Sequence, residues 1–484
     1  MNRIFLFICA ATVALTSHAG GLLANTNQNA AFLRNPARDA VIAIDGVYSN
    51  PAGTAFLPEG LHLSLSWQAA FQKRQMEVNN NLFTLNKENQ SPSRNFEGKA
   101  TAPVIPSFQA AYVFNDKWSV SAQFAVGGGG GKCEFEQGLP MFEELIGGIV
   151  AKNGGESYQL RQNLTGEQYF YGLQVGGTYK FNNNVSVFAG VRGVLASCSY
   201  TGAINNIKAN GMSADEYTAL SQQAIAGAEQ AAAVAAQYAA LGMTEEAQKY
   251  TEKAATLQAS AAKAGTIAAM IGDYQLDCSQ DGFGVTPIIG VDVNLGKLNL
   301  AAKYEFRTKI NLENESDNSE NLAQLATQVP AVAVYADGAK VRSDIPALFT
   351  FGAQYQVSNS VRAMAGYHLY FDKDAQGSAT AVSKNTWEIT AGVEWDLNDK
   401  ILLSLGGQRT KYGFADSDMT DTNFNISSIA LCLGGAYKFN DRMKLNVGYM
   451  HSFYEDHKFT NANGSACNYT RKNDVVGVSF DISF

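Results

Sequence analysis

The sequence predicts an all-β membrane protein: a 14-stranded antiparallel transmembrane β-barrel with an N-terminal hatch and a helical-hairpin insertion in an outer loop. Three observations predict it. From Leu61 onward apolar residues recur at period two, in segments of ten to sixteen residues, the spacing of strands with two unlike faces. The connections between these segments are alternately short and long, as in barrels with tight turns at one rim and loops at the other. After residue 20 there is no apolar run of 18 or more, so a membrane could be crossed only by a closed barrel.

Composition agrees. Of 484 residues 46% are hydrophobic and 17% charged, against about 25% charged in soluble domains. Gly (45), Tyr (21) and Phe (27) are abundant while Pro (10) is scarce, which suits Gly- and aromatic-bearing strands better than an α/β enzyme. A formal charge of −8 argues against a nucleic-acid partner, which would favour a basic surface.

The N-terminus reads as a signal peptide over residues 1–19, with Arg3, an apolar Ile4 to Leu15 and the small-x-small site Ser17-His18-Ala19. The alternative is an N-terminal anchor, but the apolar run is too short to span. Cleavage leaves five cysteines, Cys133, Cys198, Cys278, Cys432 and Cys467. Their spacing matches no metal or redox motif, and no cofactor site is legible.

Residues 20–59 form the expected hatch. The stretch from Asn29 to Gly60 does not alternate well and carries two triplets, Asn35-Pro36-Ala37 and Asn50-Pro51-Ala52. The second, followed by Gly53 and lying just before the first strand, is the favoured site. The barrel occupies 60–484. Its first strand places Leu61, Leu63, Leu65, Trp67, Ala69 and Phe71 on one face and His62, Ser64, Ser66 and Gln68 on the other. An outer loop is expected from about Glu77 to Ala102. Strands two and three flank Asn115-Asp116-Lys117, and strand three ends in Gly127, Gly128, Gly129, Gly130 and Gly131. Five residues without a Cβ predict a kink, bulge or mobile rim.

The loop from Lys132 to Leu164 contains an expected helix over Met141 to Ala151, and strands four and five flank Asn182-Asn183-Asn184. The period then changes over residues 205–275. Ser213 with Glu216 forms a capping box, Gly242 sits where a helix ends and Thr244 opens a second helix. The expected αα-hairpin is too polar to span a bilayer and belongs to an outer loop. Cys198 and Cys278 bracket it, as a disulfide or as two free thiols. Strands six to thirteen follow, with Lys303, Glu305 and Arg307 inward on strand seven. The last strand carries Val476, Val478, Phe480, Ile482 and Phe484. That aromatic end resembles the signal read by bacterial barrel-assembly machinery, an expected partner during biogenesis.

Val47-Tyr48-Ser49-Asn50-Pro51-Ala52-Gly53 with Phe56-Leu57, ahead of fourteen strands, resembles the hatch of the FadL/TodX family of outer-membrane channels for hydrophobic compounds. The resemblance implies a bacterial outer-membrane location, a monomer in contact with outer-membrane lipid, and hydrophobic small molecules such as fatty acids as ligands. It implies an apolar pocket above the hatch and lateral release where strand three kinks, here at Gly127 to Gly131. Phe32, Leu33, Val47, Phe56 and Leu57 either line that pocket or pack the plug against the wall. Arg192, Lys303, Arg307 and Arg362 either hold a ligand carboxylate or pair with Glu305, Glu388 and Glu394. No nucleophile motif surrounds the histidines, so an enzyme is not expected. The competing reading is an adhesin or surface receptor that presents the helical hairpin on a barrel anchor.

Overall fold

The computed structural model describes residues 29–326, 330–377 and 382–484. The predicted export signal with its cleavage site after Ala19, and residues 20–28 of the predicted hatch, lie outside the described residues. The chain begins with hatch helices α1 (Ala30–Arg34) and α2 (Gly46–Ser49) and a 3-10 turn, Pro51–Phe56. Strands β1 (Gly60–Asn79), β2 (Ser93–Val113), β3 (Trp118–Phe135), β4 (Tyr158–Lys180), β5 (Val185–Ala209) and β6 (Tyr274–Asn294) follow. Next come β7 (Leu298–Glu305, resuming as Asn311–Ser316), β8 (Lys340–Arg342, then Leu348–Gln356), β9 (Val361–Tyr370), β10 (Thr386–Asp396) and β11 (Ile401–Lys411). The wall ends with β12 (Ser428–Asn440), β13 (Met443–Tyr454, then His457–Thr460) and β14 (Ala466–Ser483).

Among the described residues these 14 antiparallel strands form one closed sheet. β1 and β14 close the barrel from His62↔Ser483 to Asn79↔Ala466. Six tight turns share one chemical device. Asn115, Asn182, Asn294, Asn398 and Asn440 each accept on Oδ1 from a backbone N–H two residues on, and Ser358 does so with its hydroxyl. Such short polar side chains fold the backbone locally. Just before three of these turns stand edge-to-face pairs, Tyr112–Phe114, Tyr179–Phe181 and Tyr437–Phe439, an aromatic girdle at a membrane interface.

The wall is inside-out relative to a soluble domain. Leu65, Leu173, Phe283, Ile389, Leu405 and Val447 are exposed on its outer face, while Ser64, Gln109, Gln174, Thr286 and Thr390 are buried within. Water would be the wrong solvent for that outer face, since burying a Leu or Phe is worth roughly 1.5–3 kcal/mol each. Lipid is the matching solvent. Among the described residues no helix is long and apolar enough to cross a membrane.

The strands continue beyond the expected loop boundaries. The β1–β2 ladder runs to Asn79↔Ser93, so the connection is 80–92 rather than Glu77 to Ala102. The reason is a change of solvent. Past Phe71 the outward residues become Lys73, Gln75 and Glu77, and Met76 and Val78 are fully buried inside. The alternation persists with its phase reversed: apolar outside in lipid, apolar inside above it.

Two further helices carry the insertion: α4 (Ala214–Ala240) and α5 (Thr244–Met270), of 27 residues each and so roughly 40 Å long. α3 (Pro140–Lys152) lies between β3 and β4. Ser213 and Glu216 form the capping box and Gly242 turns the chain at φ +74°. Ala228, Ala231 and Ala235 face Ala254, Ala261 and Ala264, small side chains that let the arms approach closely. At the base Ile267, Ile271 and Tyr217 pack with Tyr158, Ile204 and Ile146, which roots the hairpin on the rim.

Candidate functional site

The hatch lies within the barrel, and its residues from Asn29 to Val41 are buried. Asn29 caps α1 by accepting from Ala31 N–H at 2.9 Å and donates to Ser64 at 3.0 Å and Gln109 at 2.9 Å. Asn50 does the same for the 3-10 turn. Its Oδ1 accepts from Gly53 N–H at 3.2 Å, and its Nδ2 donates to Asp292 on β6 at 2.6 Å. Thr178 and Ser186 donate to the Pro51 and Ala52 carbonyls at 3.0 and 2.7 Å. Gly53 is required by this arrangement: a Cβ there would stand 2.4 Å from Asn50 Nδ2. All four residues of the expected motif therefore meet at one place on the wall.

The expected pocket-lining residues do not converge. Phe32 and Leu33 pack against Cys432, Met450 and Val475, and Val47 against Ile44 and Ala111. Phe56 lies under Lys180, beside the tight turn before β5, and Leu57 packs on the Val47 group. This is the wall-packing alternative. What seats the hatch is a row of inward glycines on adjacent strands. A Cβ at Gly392 would stand 2.0 Å from Asn35 Oδ1, one at Gly406 2.6 Å from Pro36 Cδ, and one at Gly448 2.6 Å from the Ala30 carbonyl. Gly392 pairs with Gly406, and Gly434 with Gly448. The signal in the sequence was a mid-strand glycine on the lumen face of several successive strands, which strand-by-strand reading does not collect.

Of the four expected cations, Arg192 and Lys303 both pair with Glu305, at 2.6 and 2.7 Å. Arg362 pairs with Asp396 at 2.6 Å and Glu394 at 3.4 Å. Arg307 lies beyond the first segment of β7, half-exposed, 3.6 Å from Asp344. Acidic partners thus already hold all four. Glu394 also anchors the hatch, accepting from Arg34 at 2.5 Å and Arg38 at 2.9 Å. His368 bridges Asp39 of the hatch, at 3.0 Å, to Glu388 of β10, at 2.8 Å.

The wall is interrupted between β2 and β3. The ladder pairs Ser107↔Ala125 and resumes only at Thr101↔Lys132, leaving residues 102–106 and 126–131 unpaired across that seam. Both strands contribute. Pro103 and Pro106 have no N–H to donate, and β2 bulges against β1 between Ala102 and Ile105. On the other side Gly129 is at φ +67°, and the β3–β4 register shifts at Val126/Gly128 and Gly129/Gly131. Ala102, Ile105 and Val126 fill the seam with Tyr169 and Tyr171 beside them, and Trp67 Nε1 donates to the Pro103 carbonyl at 3.1 Å. The glycine half was expected; the proline half was not.

Above the hatch Met76, Phe83, Phe96, Phe135, Phe424 and Tyr469 form one apolar cluster inside the rim. Arg74 and Arg471, which no expectation included, face this space because their strands extend past the expected ends. Cys198 and Cys278 are free and buried. The register opposes Cys198 to Gln280 and Tyr200 to Cys278. That diagonal offset, about 7–8 Å, is too long for a disulfide.

A closed fourteen-strand barrel with an apolar belt, a polar lumen and a seated N-terminal hatch defines a plugged transmembrane barrel. No protein-family model matches the sequence and no curated protein is similar to it. Solved structures are. A FadL homologue from Pseudomonas aeruginosa has a TM-score of 0.62 at 13% identity, over 96% of this chain and 100% of that one. The toluene transporter TodX of P. putida has 0.54 at 13%, over 91% and 94%. The toluene transporter TbuX of Ralstonia pickettii has 0.51 at 10%, over 93% and 98%. The chain has the FadL/TodX fold over nearly its whole length.

Proposed function

We propose that the protein is a bacterial outer-membrane channel for passive uptake of hydrophobic compounds, with long-chain fatty acids as the favoured class. The observation that carries this reading is the position of the β2–β3 seam. It lies beside Gln68 to Ala70 of β1, where the wall changes phase. Above it the lumen holds the apolar cluster around Met76, Phe96 and Tyr469; below it the hatch and its polar partners fill the lumen. A greasy chain collected by the upper cluster loses its favourable surroundings if it descends. It keeps them if it slides sideways through the seam into lipid, with no energy source required.

In this reading Asn50, Pro51, Ala52 and Gly53 hold the hatch beneath the pocket, and Gly127 to Gly131 with Pro103 and Pro106 form the lateral exit. Liposomes carrying the protein should take up labelled oleate faster than empty ones. A cross-link between cysteines placed at Ile105 and Val126 should slow that uptake, and reduction should restore it. Uptake equal to that of empty liposomes would end the transport reading. Uptake indifferent to the cross-link would end the lateral route.

A further inference from the structure

Arg74 on β1 and Arg471 on β14 are direct cross-strand partners on the lumen face, in register with the Met76↔Tyr469 pair above them. Like charges placed opposite each other repel, and a buried charge ordinarily has a counter-charge. Arg34, Arg38, Arg192, Lys303 and Arg362 each have one within 4 Å. Among the described residues, no carboxylate stands within 4.0 Å of Arg74 or Arg471. The nearby acids are turned outward or engaged elsewhere: Glu77 lies exposed beside Asn468, Asp474 is held by Tyr449 and His451, and Asp421, next to the covering loop segment, by Tyr469 and Met141 N–H. Arg471 is 5% exposed, and its Nε has no hydrogen-bond partner.

The hydrogen bonds of the pair go to neutral oxygens, and the Tyr454 ring lies 5.2 Å from Arg471. Gln72 Oε1 accepts from Arg74 at 3.0 Å and from Arg471 at 2.8 Å. The remaining acceptors come from one short segment of the loop between β11 and β12. The Thr422 carbonyl accepts from Arg74 at 2.9 Å, and the Phe424 carbonyl and Asn425 Oδ1 accept from Arg471 at 3.0 and 2.9 Å. Arg74 also lies 5.9 Å from the centre of the Phe424 ring, and that ring belongs to the apolar cluster with Tyr469 and Met76.

We propose that Arg74 and Arg471 are a binding site for the oxyanion head of an amphiphile, covered in this structure by the 422–425 segment. The loop oxygens occupy the places that ligand oxygens would take. An incoming carboxylate or sulfate replaces neutral acceptors with a charged one, a stronger partner for guanidinium, and relieves the repulsion between the two arginines. Displacing Phe424 opens the cluster to the ligand's tail. The site rests on the channel reading and narrows it: the preferred cargo is an anionic amphiphile, not a neutral hydrocarbon.

The test compares cis-parinarate with its uncharged methyl ester, binding each to the full chain in non-ionic detergent. Wild type should bind the acid roughly tenfold or more tightly than the ester, with the preference shrinking in salt. Gln72→Glu supplies an internal counter-charge at the shared acceptor, and Arg471→Gln removes half of the pair. In either variant, still heat-modifiable on gels, the preference should fall to about threefold or less. An acid-to-ester ratio near one in wild type, or a ratio unchanged in both variants, overturns the site while leaving the channel reading intact. Failure of wild type to bind either probe overturns the channel reading, and the site with it.

Discussion

Asn50 Nδ2 stands 2.6 Å from Asp292 Oδ2 on β6, and the same Asp292 oxygen accepts from Asn299 on β7 at 2.8 Å. One hatch side chain is thereby bound to two neighbouring staves through a single carboxylate. Asn50→Ala removes a hydrogen bond to a charged group, worth roughly 1.5–3 kcal/mol, and frees the Gly53 N–H. The barrel ladder is untouched, so heat-modifiable gel migration should persist. Ion conductance in planar bilayers should rise as the hatch loosens. Loss of the folded gel band would mean that the residue supports the wall rather than the plug.

Gly392→Val tests the seat. A side chain there meets Asn35 Oδ1, since even a Cβ would lie 2.0 Å away. The strand itself tolerates Val, a good strand former. The hatch should be displaced from its trough, which protease sites engineered into residues 36–45 would report by becoming accessible. An uncut hatch in a folded variant would show that the glycine row is incidental.

The loop carrying Thr422 and Phe424 should respond to pH. Burial, then the neighbouring Glu144, push the Asp421 carboxyl up to about 7, against an ordinary value of 3.8. Because the folded value is the higher one, the docked loop keeps a proton that the undocked chain has released. The associated stability is present at low pH and is lost as pH rises through about 7. Limited proteolysis within 412–427 should be slow at pH 5 and faster at pH 8. Asp421→Asn should flatten that difference. Equal cleavage at both pH values in the wild type would remove the switch.

Excising residues 222–260 and closing the gap with a short Gly-Ser turn spares Tyr217 and Ile267, which root the hairpin on the rim. Oleate uptake and the folded gel band should both survive. If the full chain gives no uptake above empty liposomes while the excision abolishes attachment to a surface partner, the adhesin reading replaces the channel.

The fold was readable because lipid imposes a strict code on outward residues. Leu65, Trp67 and Phe71 announce their strand, and the hairpin was marked by Ser213, Glu216 and Gly242, whose roles are local. Legibility failed where the solvent changed. Past Phe71 the code reverses, so Arg74 and Met76 were not assigned to the first strand, and Arg471 was lost on the partner strand for the same reason. It failed again where function depends on cross-strand neighbours. Gly127 to Gly131 suggested half a seam, but Pro103 and Pro106 acquire meaning only once register sets them opposite. Whether Cys198 and Cys278 were bonded or free stayed open because sequence separation says nothing about a two-residue offset.

The hatch is tied to β1, β2 and β14 through Asn29, to β9 through Asp39, to β10 and β11 through Arg34, to β6 through Asn50 and to β4 through the Pro51 carbonyl. These ties work like the spokes of a wheel. A wide tube of strands can flatten under lateral pressure from the surrounding bilayer, and spokes reaching opposite sides of the rim resist that ovalisation. They also impose an order on assembly. Ser479, which donates to Asn29 Oδ1, stands on β14, so the hatch ahead of β1 cannot settle until β14 is in place.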